Sequence, residues 1–102
     1  MRLVTWNTQW CCGLDGSVSP ERIVQTVNAM GACDVLCLQE IAVNYPQLRG
    51  APQDQVAQLQ ALLPGWQLVF GAAVQEWTAA GHQQFGNLVA TRLPVLQVQH
   101  YP

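Results

Sequence analysis

Lysine is absent from this chain of 102 residues, and charged residues of either sign are scarce. Four arginines carry all of the strong positive charge, and the formal net charge is −2. A chain with so few cations has no basic surface with which to grip a nucleic-acid backbone by itself. Half of the residues are hydrophobic and only 10% are charged, which excludes an intrinsically disordered segment. So apolar a composition indicates that part of the surface of this chain is covered in the complete protein.

No stretch reaches the roughly 18 consecutive apolar residues that indicate a transmembrane helix. No secretory leader is indicated either, because Met1 runs directly into a strand pattern, and we therefore expect a cytoplasmic protein. The cysteines match no common zinc spacing, and we expect them to be reduced thiols buried in the core. They are Cys11, Cys12, Cys33 and Cys37.

The first half of the chain has a strand, helix, strand pattern. Leu3–Thr8 alternates as a strand, and Val35–Leu38 is a short apolar run typical of a strand buried on both faces. Between them a helix is predicted over Ser19–Met30, with Ser19 as N-cap and Gly31 at its end. Its inward stripe is predicted to comprise Ile23, Val24, Val27 and Met30.

The second half is predicted to contain one more helix and three more strands. The helix should begin at Pro52 or Gln53, after a loop over Asn44–Pro52, and should end at Leu63 before Pro64. The strands are predicted at Trp66–Phe70, Phe85–Thr91 and Val95–Tyr101, with a polar loop over Gly71–Gln84. Because the chain ends directly after a predicted strand, with no helix to cover it, we expect it to be part of a larger domain.

An oxygen-bearing side chain follows each of the first two predicted strands. Asn7 ends the run that begins at Leu3, and Glu40 ends the run that begins at Asp34. If the two strands are neighbours, these side chains lie side by side at one edge of the sheet. Mg²⁺ prefers oxygen ligands of this kind, with water and substrate phosphate completing its shell. The alternatives are a solvated strand-end glutamate and a turn-capping asparagine.

The order of the segments resembles the endonuclease/exonuclease/phosphatase superfamily of metal-dependent phosphodiesterases and phosphomonoesterases. Val4–Asn7 is similar to the first strand of that family, Asp34–Glu40 to its second strand, and Phe85–Pro94 to its Gly-Asn-apolar-apolar-x-Ser/Thr-Arg-x-Pro string. The predicted helix over Ser19–Met30 lies at the expected place between the first two. The match spans the whole chain but only the N-terminal portion of the family's domain.

The resemblance implies an α/β fold: the N-terminal part of a four-layer α/β sandwich in which two β-sheets are flanked by helices. It implies that Glu40 is a direct ligand of Mg²⁺ (or Mn²⁺) and that Asn7 positions the metal or the scissile phosphate. Asn87 and Arg92 are candidate supporting residues. A structural hydrogen bond accounts for Asn87 at least as well, and for Arg92 a turn or a pair with a carboxylate is favoured over contact with substrate. The implied substrate is a phosphoester, in nucleic acid or in a small phosphorylated molecule.

Several catalytic strings of the family have no counterpart in this sequence. The Asp-x-Asn pair and the terminal Ser-Asp-His string are missing, and His82 and His100 stand in other contexts. We therefore expect residues 1–102 to be the N-terminal part of one such domain, inactive alone. A non-catalytic binding module derived from the fold, and a phospholipid or inositol-phosphate phosphodiesterase, are the alternatives. Substrate and oligomeric state cannot be read from the sequence.

Overall fold

The computed structural model describes residues 1–45, 54–79 and 81–100. These residues form one mixed sheet with strand order β1-β2-β4-β3; β1 and β2 are parallel, and β4 is antiparallel to both of its neighbours. The α/β class is thereby confirmed, with one sheet in the described part of the chain. The elements are β1 (Leu3–Asn7), α1 (Pro20–Ala29), β2 (Val35–Val43), α2 (Gln55–Leu62), β3 (Gln67–Thr78) and β4 (Gly81–Thr91).

Helix α1 begins and ends as its sequence predicts. The hydroxyl of Ser19 accepts a hydrogen bond from the Arg22 amide at 3.1 Å, and Gly31 adopts a φ of 97° just beyond the C-cap. The inward stripe is three residues rather than four: Ile23, Val24 and Val27 are buried. The prediction for Met30 is wrong, because this residue is the C-cap and its side chain is 47% exposed.

Helix α2 begins later than predicted. Asp54 is its N-cap and accepts a hydrogen bond from the Ala57 amide at 3.0 Å. The predicted starts at Pro52 and Gln53, and most of the predicted loop before them, lie outside the described residues. Leu59 and Leu63 are buried, as the spacing requires. At ten and eight residues, the helices of the described segments are too short to cross a membrane.

Both helices cover the same face of the sheet and form a single core with it. The strands contribute alternate residues, and each fully buried leucine adds about 1.5–3 kcal/mol to stability. The opposite face, called here the helix-free face, carries Leu3 and Val89, which are 56% and 39% exposed. The members of the core contributed by the central strands are Leu36, Leu38, Ile41, Leu88 and Ala90.

Strands β3 and β4 form a long hairpin where a loop is predicted over Gly71–Gln84. The strands remain paired from Gln67 with Thr91 as far as Thr78 with Gly81. The segment is rich in small and polar residues because most of the hairpin tip, residues 73–79, is exposed. It also lacks the Asn-Gly or Asp-Gly pair that would indicate a tight turn. The polar composition therefore reflects exposure and does not mark a loop.

The predicted fifth strand is also wrong. Residues 95–100 have no regular secondary structure. They pass over the helix-free face, where the ring of His100 lies against Gly71. Alternation of apolar residues produces a strand only when the segment pairs with a sheet edge. This segment packs on a face of the sheet and pairs with neither edge strand, β1 or β3, in the described residues.

Gly86 lies where the register of both neighbouring strands shifts. On one side β2 places two residues, Gln39 and Glu40, opposite Asn87 alone. On the other side β3 has one extra residue between Ala72 and Val74. These bulges bring backbone close to Gly86: a Cβ there would meet the Gly71 carbonyl and would lie 2.9 Å from the Ala72 Cα. Only glycine fits between the two bulges.

We expect the substitution Gly86→Ala to lower the free energy of unfolding by ~2 kcal/mol or more, because backbone atoms cannot move aside as a side chain can. Urea denaturation measures the change. Gly71→Ala is the matched control, since its Cβ would approach only the His100 ring, at 3.3 Å. Equal losses in the two variants would contradict the explanation.

Candidate functional site

The first two strands bring Asn7 and Glu40 to the same edge of the sheet. Asn7 pairs in register with Gln39, the residue just before Glu40. The two strands are parallel, so their carboxyl ends lie together. Asn7 and Glu40 therefore lie at nearly the same level of two neighbouring strands, although β2 continues beyond Glu40 to Val43.

A bulge in the middle of β2 sets the direction of Glu40. In a regular strand, Glu40 would follow Leu36 and Leu38 onto the buried face. Instead the register shifts between Leu38 and Ile41, and Glu40 adopts a φ of 58°. Ile41 takes the buried position and is 0% exposed, whereas Glu40 is only half-buried. The bulge thus keeps the carboxylate out of the hydrophobic core.

The loop after β1 donates hydrogen bonds to the carbonyl groups of the bulge residues Gln39 and Glu40. The Gln39 carbonyl accepts hydrogen bonds from the Thr8 amide at 3.1 Å and the Thr8 hydroxyl at 2.9 Å. The Glu40 carbonyl accepts a hydrogen bond from the Trp10 amide at 2.7 Å. Thr8 is 3% exposed. Sequence reasoning missed its role, although a hydroxyl directly after a strand-end asparagine is a recognisable turn signal.

The side chain of Asn7 makes a turn contact. Its Oδ1 accepts a hydrogen bond from the Gln9 amide at 3.2 Å, which is the turn-capping contact expected of an asparagine here. A carbonyl oxygen has two lone pairs, so a second partner is still allowed. Asn7 is exposed and lines a cavity of about 290 Å³ between this loop and α1, which Arg22 also lines but Glu40 does not.

The Glu40 carboxylate fits a hard divalent cation. In the described part of the chain the ion pairs join Arg22 to Asp15 and Arg92 to Asp34, so Glu40 has no cationic partner there. A half-buried carboxylate without a counter-ion is suited to Mg²⁺, which often takes only one or two carboxylates and keeps several waters. No group of three or more His, Cys, Asp or Glu side chains that could hold a metal occurs among the described residues.

Asn87 lies at the same level as Glu40, on the neighbouring strand. It lies on β4, opposite the bulge of β2. Its side chain projects from the helix-free face, since Leu88 and Ala90 of the same strand are buried on the other face. It lines a second cavity, of about 580 Å³, together with His100. Asn7, Glu40 and Asn87 therefore occupy three adjacent strands at one level of the sheet.

Arg92 does not fit the supporting role offered for it. Its guanidinium pairs with Asp34 at 3.2 Å and lies over the Trp66 ring, 5.4 Å from the centroid. Asp34 precedes β2, six residues before Glu40, which places Arg92 roughly 20 Å from the bulge. The ion pair of Arg92 with Asp34 joins the end of β4 to the start of β2, in agreement with the alternative that Arg92 pairs with a carboxylate.

Asp34 connects three strands at that far end. Its carboxylate accepts a hydrogen bond from the Arg2 amide at 2.9 Å, and its carbonyl accepts one from the Arg92 amide at 3.1 Å. The Arg2 hydrogen bond, followed by the charge of Arg92, holds the pKa of the Asp34 carboxyl below its usual range.

A lowered folded-state pKa means that Asp34 stabilises the protein above the ordinary carboxyl range, near pH 4, and that this contribution is lost as the pH falls through the folded pKa. We expect Asp34→Asn to lower the melting temperature at pH 7, and the difference from the unsubstituted chain to shrink as the pH falls below the ordinary carboxyl range. Thermal unfolding across this range tests it, with Glu76→Gln as a control for net charge. Parallel curves at all pH values would contradict it.

The four cysteines are free thiols that differ in burial. Cys11 and Cys33 are buried, whereas Cys12 and Cys37 are only half-buried, so the prediction of four buried thiols holds for two. Burial raises the pKa of the Cys11 thiol to about 12, which keeps it protonated and unsuited to act as a nucleophile or a metal ligand.

Two tryptophans, Trp10 and Trp77, lie in different parts of the structure. Trp10 belongs to the loop after β1 and is half-buried beside the bulge. Trp77 is not in a loop as predicted; it lies near the tip of the hairpin, 81% exposed, and stacks on His82 with ring centroids 4.2 Å apart. His82 is only partly exposed as a result.

Comparison with known proteins supports the fold. No protein-family model matches the chain, and neither does any curated protein. Among solved structures, the chain is similar to an endonuclease/exonuclease/phosphatase protein from Beutenbergia cavernae, with 28% identity and a TM-score of 0.71. The alignment covers 96% of this chain and 27% of that one. The resemblance to this superfamily is thereby confirmed, and the chain spans about a quarter of the similar protein.

Proposed function

We propose that this chain, whose fold is that of part of an endonuclease/exonuclease/phosphatase protein, contributes to a Mg²⁺-dependent phosphoester hydrolase as the N-terminal part of one domain. The observation that carries the proposal is the half-buried carboxylate of Glu40, directed by a bulge and without an ion-pair partner in the described segments. Mn²⁺ has similar ligand preferences and is the practical probe.

The roles of the residues follow from their charge. Glu40 would hold the divalent cation, which when bound would stabilise the negative charge that develops on a phosphoryl oxygen. The neutral amide of Asn7 would orient phosphate or water without adding repulsion toward an anionic substrate. Asn87 could provide a second neutral amide on the adjacent strand. The proposed substrate is a phosphoester.

We expect the isolated chain to bind Mn²⁺ weakly at this edge and Glu40→Gln to weaken binding about tenfold or more, because the substitution removes the only negative charge in the proposed site. Paramagnetic broadening of the Asn7 and Glu40 amide signals during a Mn²⁺ titration measures the affinity. Glu76→Gln removes the same charge from β3 and should leave the broadening at Asn7 unchanged. Equal affinity in the Glu40→Gln variant would overturn the proposal.

The chain alone is expected to show negligible hydrolysis of a general phosphodiester such as bis(p-nitrophenyl) phosphate. One carboxylate and one amide leave most of a metal shell to water, and no group of three metal-binding side chains exists in the described residues. The measurement is turnover with 10 mM Mg²⁺ at roughly neutral pH, where a catalytic base operates best. Robust turnover that Glu40→Gln abolishes would show that this prediction is wrong while supporting the site.

A further inference from the structure

Gln55 is a buried polar residue in contact with β2 just beyond its bulge. It is the first residue of α2 and is 1% exposed, on the stripe that continues through Leu59. A polar side chain is costly to bury unless its donor and acceptor groups are satisfied. Its partners therefore indicate why a glutamine, rather than an apolar residue, occupies this position.

Both ends of the Gln55 amide bind backbone groups. Its Oε1 accepts a hydrogen bond from the Ala42 amide at 3.0 Å, and its Nε2 donates to the Trp10 carbonyl at 2.7 Å. The amide of Trp10 in turn donates to the Glu40 carbonyl at 2.7 Å. These hydrogen bonds form a closed path from β2, through α2 and the loop after β1, back to Glu40.

The position of the path follows from where β1 ends. The pairing of β1 with β2 stops at Asn7 and Gln39, so the β2 edge beyond the bulge no longer has that strand as a partner. Gln55 supplies the acceptor for Ala42 on that stretch. Without it, the buried Ala42 amide and the Trp10 carbonyl would lose the partner that Gln55 gives each of them. Trp10, whose amide binds the Glu40 carbonyl, would then be held less firmly.

We propose that Gln55 is a positioning residue: its side-chain amide fixes the left-handed backbone of Glu40 against Trp10 and thereby orients the carboxylate for a divalent cation. The orientation of the carboxylate toward a cation rests on the proposed function, whereas the restraint on the backbone does not. The two parts can be measured separately.

The substitution to test is Gln55→Met, which keeps the length and volume of the side chain but makes no hydrogen bonds to Ala42 or Trp10. We expect amide exchange of Trp10 to accelerate about tenfold relative to the core amides of Leu36 and Leu88, and the Glu40 backbone carbon shifts to move toward ordinary strand values. Mn²⁺ affinity should fall about tenfold, as is typical when a residue that supports a ligand is lost.

Two control variants separate positioning from general stability. Gln60→Met alters a glutamine on the same helix whose amide donates to the Trp66 carbonyl, away from the bulge. Leu59→Ala removes a fully buried side chain one turn from Gln55 and should cost more stability than Gln55→Met. Neither should change the Glu40 carbon shifts or the Mn²⁺ affinity of the folded chain.

Gln55→Glu provides a rescue test, since its oxygen can still accept from Ala42 and, when protonated, its hydroxyl can donate to Trp10. The protection of its Trp10 amide, compared with that of the unsubstituted chain at the same pH, should recover as the pH falls below the glutamate pKa. Unchanged Glu40 shifts and Trp10 exchange in Gln55→Met would overturn the inference. If those change but neither Gln55→Met nor Glu40→Gln affects Mn²⁺ binding, the restraint stands and the proposed metal site fails.

Discussion

The change of register within β2 is the constraint on which the candidate site depends. Period-two alternation would place Glu40 on the helix-covered face with Leu36 and Leu38, where an unpaired carboxylate costs several kcal/mol. One extra residue in the strand moves Ile41 into that position instead. The same shift satisfies two demands at once: a continuous core below the sheet and an accessible carboxylate at its edge.

Neighbouring elements are built around this shift. On β4, the Gly86–Asn87 pair lies between the bulge of β2 and that of β3, and the absence of a side chain at Gly86 lets the backbone of β3 approach. On the other side, Thr8 and Trp10 bind the carbonyls of Gln39 and Glu40. The Gly-Asn string of the sequence is therefore a structural companion of the Glu40 strand, since it accommodates the bulges.

Sequence reasoning reaches the helices and central strands because their signals are local. The Ser19 cap and the apolar stripe of α1 require no knowledge of the rest of the chain. The sequence also indicates the bulge, because the buried residues Leu38 and Ile41 are three positions apart where regular alternation requires two. Sequence reasoning misses this signal because Val35–Leu38 is a continuous apolar run without alternation. The hairpin and the irregular segment 95–100 could not be predicted, because exposure of a strand tip and availability of a sheet edge are properties of the assembled fold.

The proposed site combines the carboxylate of Glu40 with neutral amides on the neighbouring strands. Asn7, Gln39 and Asn87 lie at one level across three strands, and all of them are neutral amides. A divalent cation bound to a single carboxylate keeps a net positive charge, whereas further carboxylates would cancel it. Such a site can therefore attract a phosphate without basic residues. Scarcity of charge, which excludes a basic nucleic-acid surface on the chain as a whole, is thus compatible with phosphate binding at one point. At that point the backbone register directs the carboxylate of Glu40, which has no ion-pair partner among the described residues.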